Sequence, residues 1–276
     1  MNTCCRRLVA GLAGLLAALT VTVAVEAQNM EDVEITTHHV AGPVFMLTGR
    51  GGNIGVSAGD DGLLMIDDQF EPLAEKIRTA LNQIKARTKA PEGLRFVLNT
   101  HWHGDHTGGN PIFGQEALLM AHENVRLRLS TEQIVRGEPR GPLPVTGWPV
   151  VTFEEGLHIH FNGERLDVVH YPSGHTDGDC VIYFPVSNVV HTGDLFFSGR
   201  FPYVDLEHGG DVEGLIKNVD EILERVKPDT KIIPGHGPLS TVEDLKEYRR
   251  VLTETTTYIR KRVRGNLELE EMKKRG

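Results

Sequence analysis

The sequence predicts an α/β (α+β) fold arranged as an αββα four-layer sandwich, with its loops gathered along one edge. Two observations carry this expectation. Short runs rich in Val, Ile and Leu alternate with amphipathic helical periods, and the second half of the chain repeats the pattern of the first. Residues of metal-ligand type follow apolar runs directly, which puts them in loops at strand ends on a rigid scaffold.

The first element reads as an export signal rather than as part of the fold. Arg6 and Arg7 precede an apolar run over 8–25, and Val25-Glu26-Ala27 satisfies the small-x-small rule for cleavage after Ala27. A membrane anchor is the competing reading, but Gly11, Gly14, Thr20 and Thr22 break the run, whose length is close to the minimum of roughly 18 residues for a span. The Arg6-Arg7 pair also fits a twin-arginine signal, with weak support around it. The expected mature protein is residues 28–276, a single domain that is periplasmic or secreted and has no stable membrane insertion. Cys4 and Cys5 leave with the signal, so Cys180 cannot form an internal disulfide. Losing two cations and one anion takes the formal net charge from −9 to −10, which argues against nucleic acid and leaves a small molecule as the partner.

Residues 33–47 and 53–67 read as hairpin strands turned at Gly42-Pro43 and at 59–62. Over 72–85, Leu73, Ile77, Ala80, Leu81 and Ile84 recur at helical spacing behind a proline at the start. An apolar strand over 94–98 then runs into Asn99-Thr100-His101. In the second half 165–170, 180–184, 188–191 and 231–233 read as strands, 212–226 as a helix, and about 241–262 as a final helix. Residues 137–149, rich in proline and glycine, read as a loop.

The densest chemical signal is His101-Trp102-His103-Gly104-Asp105-His106. Imidazole and carboxylate are the ligands zinc prefers, with iron or manganese as alternatives. His101 and His103 extend the same way at alternate positions, and Gly104 is expected to let the chain turn Asp105 and His106 toward a second point. Three further pieces, Ser173-Gly174-His175-Thr176, Thr192-Gly193-Asp194 and Pro234-Gly235-His236-Gly237, each put one ligand-type residue beside a glycine after an apolar strand.

This ordered set, H-x-H-x-D-H, GHT, GD and PGHG, resembles the metallo-β-lactamase superfamily over about 33–251. The resemblance implies the αββα fold and two zinc ions. It implies His101, His103 and His175 on the first ion, Asp105, His106 and His236 on the second, and Asp194 as a bridge. A metal-bridging hydroxide would then attack an ester, lactone, thioester or amide carbonyl, with Asp105 orienting it or carrying its proton. Relatives with a cysteine ligand place it where this chain has Asp194, and place a lysine where it has Phe197; Arg200 is the candidate replacement for that charge. An aspartate bridge is instead the pattern of glyoxalase II, lactonases and phosphodiesterases. The 40 residues after His236 are too few for the usual C-terminal helical domain of glyoxalase II. A mononuclear iron persulfide dioxygenase is the alternative from another reaction class, and an exported zinc-binding protein without activity is the non-enzymatic one.

Asp67 and His191 are candidates for supporting the ligands from behind, and so, less directly, is His208. His170 is the rival ligand to His175, read as packed because it lies on a strand. His158 and His160 share a strand face, and Cys180 reads as a small core residue. Trp148, Phe196, Phe197, Phe201 and Tyr203 are candidates for an apolar substrate groove.

Overall fold

A computed structural model describes residues 30–266 and 268–275; the expected signal, 1–27, lies outside the described residues. Ile35–Gly276 packs as one compact unit. Strands β1 (Thr36–Ala41), β2 (Val44–Thr48), β3 (Ile54–Gly59) and β4 (Gly62–Ile66) form an antiparallel meander turned where Gly42 and Gly62 adopt positive φ. Helix α1 (Ala74–Thr88) crosses over to β5 (Leu94–Leu98), which pairs with β4 in parallel. Two short helices follow, α2 (Gly104–Thr107) and α3 (Asn110–Phe113). Then come β6 (Leu118–His122), α4 (Glu123–Ser130), a hairpin of β7 (Gln133–Val135) and β8 (Glu138–Arg140), and β9 (Val151–Phe153). β9 closes the first sheet in the order β1-β2-β3-β4-β5-β6-β9.

The second sheet is built from β10 (Gly156–Phe161), β11 (Glu164–His170), β12 (Cys180–Phe184), β13 (Val189–His191) and β14 (Lys231–Ile233), in that order. Helix α5 (Val212–Arg225) connects β13 to β14 and α6 (Val242–Arg264) follows. A last helix, α7 (Leu269–Arg275), ends the described chain.

The layers follow from alternation along the strands. Leu64 and Ile66 join Met46, Leu98, Leu166, Cys180 and Ile182 between the two sheets, while Leu63 and Met65 turn to the face on which α1 packs. On the outer face of the second sheet Val181, Val190 and Ile232 meet Leu215, Val219 and Ile222 of α5 and Leu245 of α6. Each fully buried aliphatic side chain contributes about 1.5–3 kcal/mol of transfer free energy. The result is the αββα sandwich. Two expectations needed correcting: 138–140, inside the segment read as loop, form β8, and α7 follows the helix read as final; β6 and α4, which run straight on without a turn residue between them, were not anticipated. Among the described residues no helix is long and apolar enough to cross a membrane.

Candidate metal centre

The site lies where β4, β5, β11, β13 and β14 end. After β4 the chain turns sharply at Asp67, whose φ of 62° places a buried carboxylate beneath the loop that follows β5. Asp67 Oδ1 accepts from the Thr100 backbone N–H at 2.7 Å, and Oδ2 accepts from the Thr100 hydroxyl at 2.7 Å and from His106 Nδ1 at 2.7 Å. Because the Thr100 hydroxyl donates to Asp67, it accepts from His101 Nδ1–H at 3.0 Å, which leaves His101 Nε2 as a bare lone pair. His103 forms the N-cap position of α2, which carries Asp105 and His106 round to the second group. Gly104 takes no positive φ, so this turn is helical and does not need the backbone freedom of glycine expected of it.

The other imidazoles are aimed in the same way. His103 Nε2–H donates to Asp205 Oδ2 at 2.8 Å, and Asp205 is also held by His208 Nδ1 at 2.8 Å. His175 Nδ1–H donates to the Tyr203 carbonyl at 2.6 Å. The lone-pair nitrogens therefore converge: His175 Nε2 lies 2.8 Å from His103 Nδ1, and His106 Nε2 lies 3.4 Å from His236 Nε2. At His103 and His175, two lone pairs facing each other at that distance repel unless a cation sits with them.

Asp194, in the 3₁₀ turn after β13, reaches both groups. Its Oδ1 is 3.1 Å from His106 Nε2, and its Oδ2 is 3.4 Å from both His175 Nε2 and His236 Nε2. Asp105 Oδ2 is 3.3 Å from His236 Nε2. Donor atoms of His101, His103, His175 and Asp194 all lie within 4.8 Å of one another, as do those of Asp105, His106 and His236.

Burial and charge set the protonation. Burial pulls the His175 imidazole down to about 4 against the opposing charge of Asp194, and pushes His101 well below its usual range, with His106 adding to the effect. Both rings are thereby kept neutral. Burial works against ionisation of Asp105, yet His106 and His236 beside it hold its carboxyl at about 2. His106 and His236 are themselves drawn upward despite burial, by Asp194 and Asp105, and His236 reaches about 9. A carboxylate field that favours a proton there favours a metal cation for the same reason.

The residues fit a metal pair. His101 Nε2 and Asp194 Oδ1 are buried with no hydrogen-bond partner. Close packing seals the rest. A Cβ at Gly235 would lie 2.0 Å from Asp194 Oδ1, and one at Gly52 would lie 2.0 Å from His106 Cε1. Asn53 clasps the His236 loop from the other half of the chain: its backbone N–H donates to Gly235 O at 2.7 Å, and its amide donates to Pro234 O at 2.9 Å and Gly237 O at 2.8 Å.

Other sequence candidates fall around this centre. His191 is buried behind it, with Nε2 on Asn53 O at 3.1 Å and Nδ1 accepting from the Gly193 N–H. His170 stacks on His122 at 3.8 Å and bonds the Asp179 carbonyl, away from both groups. His158 is exposed and paired with Asp167. Arg200 does not reach the site cavity; with Phe196 and Phe201 it lines a neighbouring cavity of about 410 Å³, and Phe197, stacked on His236, is the wall between the two. Trp148 packs beside Trp102 instead of lining a groove. Sequence reasoning missed Thr100 and Asp205, and also Arg136 and Arg140, which overhang the site cavity of about 580 Å³. Nothing local marks them; only the folding of their loops onto the His-rich segment does.

Residues 47–237 match the family model of the metallo-beta-lactamase superfamily. The chain belongs to that superfamily. It is accordingly a metal-dependent hydrolase, and its relatives agree with that class. It is 30% identical to hydroxyacylglutathione hydrolase GloC of Haemophilus influenzae over 153 residues, 54% of this chain and 71% of that protein. It is 28% identical to the probable metallo-hydrolase YqgX of Bacillus subtilis over 186 residues, 65% of this chain and 85% of that one. The matches to three other curated relatives span between 41% and 55% of their length. Among solved structures, a metallo-beta-lactamase from Pontibacter korlensis superposes with a TM-score of 0.63 at 20% identity, covering 80% of this chain and 99% of that one. At that identity the likeness is one of fold, and the superfamily's αββα sandwich is the fold described above.

Proposed function

We propose that this protein is an exported dinuclear zinc hydrolase that cleaves an ester, thioester, lactone or amide of a small molecule. His101, His103 and His175 would hold one ion and Asp105, His106 and His236 the other, with Asp194, whose oxygens approach His106, His175 and His236, available to both. The observation that carries this reading is the pair of partnerless buried donors, His101 Nε2 and Asp194 Oδ1, at the junction of the two groups. When bound, two such cations lower the pKa of water toward about 7 and polarise a carbonyl. The donor set is the one zinc prefers.

The chain's own residues do the rest. Asp105 keeps 30% of its side chain exposed, and the carboxylate oxygen that does not face His236 would orient the attacking water and take up its proton. Thr100, Asp205 and the Tyr203 carbonyl lock each imidazole in the tautomer that points its lone pair inward. Phe197 and Tyr203 offer ring surface to the substrate.

Zinc-loaded protein is expected to hold close to two ions per chain by elemental analysis. A panel of 4-nitrophenyl esters, thioesters, lactones and nitrocefin is expected to show turnover that falls about 100-fold or more in Asp105→Asn. One ion per loaded chain would remove the paired centre, and a panel without turnover would remove the hydrolase.

A further inference from the structure

The hairpin β7–β8 lies over the metal centre and carries two arginines at its mouth. Its two-residue turn is Arg136-Gly137, with φ of 53° and 80°. Such turns favour Asn or Gly at the first position, because a long side chain gains nothing from a left-handed backbone. Arg136 nevertheless occupies it, and its guanidinium stands 5.9 Å from the centre of the Tyr203 ring. Arg140, at the end of β8, reaches back to the His-rich loop itself. A Cβ at Gly104 would lie 2.8 Å from Arg140 Nη2 and 3.0 Å from Nη1, so the missing side chain between His103 and Asp105 is what makes room for this cation.

The hairpin does not float. Val135 packs on a cluster containing Trp102, Val125 and Leu129, and Trp102 is the residue between His101 and His103. The arginines are thus fixed relative to the ligand loop. Among the described residues neither Arg136 nor Arg140 forms an ion pair; Asp205 is committed to His103 and His208 and Asp105 to His236, while Glu207 lines the same cavity without an ion pair to either arginine. Two unpaired guanidinium groups beside a centre that takes cations repel it and each other until an anion enters. A planar guanidinium fork matches a carboxylate in two parallel hydrogen bonds.

We propose that Arg136 and Arg140 form a clamp that selects substrates carrying a free carboxylate a few bonds from the scissile carbonyl. The proposal rests on the hydrolase reading above and narrows its substrate class. Arg140 binds the carboxylate against the ligand loop, and Arg136, steadied on Tyr203, closes the cavity from the hairpin tip.

Two esters of equal acyl length test it: mono-4-nitrophenyl glutarate, which ends in a carboxylate, and 4-nitrophenyl valerate, which ends in a methyl group. The zinc-loaded wild type is expected to prefer the glutarate ester, and Arg140→Ala to reduce that preference in kcat/KM by roughly 10–100-fold, mainly through KM. Arg136→Ala is expected to reduce it less, and Arg140→Lys to recover part of it. Equal losses on both esters, or no loss, would overturn the clamp. Calorimetric titration with glutarate itself gives a readout without turnover: binding weakens in Arg140→Ala and at high salt. If neither these esters nor the wider panel is cleaved but glutarate binding is lost in the variant, the hydrolase reading fails and the clamp stands. If the esters are cleaved and glutarate binds wild type and variant alike, the clamp alone fails.

Discussion

At Asp67 one carboxylate aims two imidazoles, gripping His106 directly and His101 through the Thr100 hydroxyl. Asp67→Ala frees both rings, so affinity for the metal at the His106 group is expected to fall about 10–100-fold in a competition titration against a chromophoric chelator. An unchanged titration curve would deny the positioning role. A second pair of imidazoles governs acid stability. Burial lowers both His122 and His170, and the charge of His122 lowers His170 further across their 3.8 Å stack. The unfolded chain protonates these rings near the ordinary 6.5, while the folded chain resists until lower pH. Between those two pKa values the unfolded state binds more protons, so stability is present above 6.5 and is lost as pH falls through that window. His170→Gln, which keeps a donor for the Asp179 carbonyl, is expected to lose less stability than wild type between pH 7 and 5.5 in urea unfolding of the zinc-loaded protein. Parallel losses would assign the acid sensitivity to other groups. The seven ligand-type residues stood out in the sequence because each sits in a motif. Asp205 did not, because its contact with His103 joins positions 102 residues apart and leaves no local pattern.

At the level of the element, glycines decide how closely loops meet. Gly235 leaves no room for a Cβ, which would fall 2.0 Å from Asp194 Oδ1, with the Gly193 backbone also within 2.6 Å. Gly235→Ala is therefore expected to displace Asp194 and bring zinc content well below that of the wild type by elemental analysis, with far-UV circular dichroism retained. Full zinc content would mean that the loop yields without cost. The same scale shows why sequence reading worked unevenly. β2, β4, β5 and β12 announced themselves as apolar runs between turn residues. β7 and β8 did not, because the exposed three-residue strands Gln133–Val135 and Glu138–Arg140 have almost no apolar face to register. The hairpin that carries the proposed clamp was thus the least legible element near the site. Thr241, by contrast, starts α6 as expected, in a capping box with Asp244.

For the whole molecule, each ligand group draws on both sheets. His101 and His103 follow β5 of the first, while His175 and Asp194 follow β11 and β13 of the second; Asp105 and His106 face His236 in the same manner. Metal bound at such a seam adds its binding free energy to folding. Chelation is expected to lower the calorimetric Tm by about 10 °C, as roughly 3–4 kcal/mol of linkage implies for a domain of this size. Asp194→Asn should shrink that difference; a Tm indifferent to chelation would mean that the seam needs no ions. The two-fold succession of strands and helices made this architecture readable from sequence, and the motifs announced which ligands of the two halves would meet; contacts such as that of Asn53 with the His236 loop were not legible, since they join side chains that become neighbours only once the sandwich closes.

The Asn53 clasp sets an order of events during refolding. Its amide and the Pro234 carbonyl are 181 positions apart, and so large a loop loses much chain entropy before any contact across it is gained. Secondary structure should accordingly recover ahead of the ability to capture zinc, leaving a nascent molecule that is already folded in outline but still inert. Simultaneous recovery of ellipticity and zinc capture in stopped-flow refolding would contradict that order.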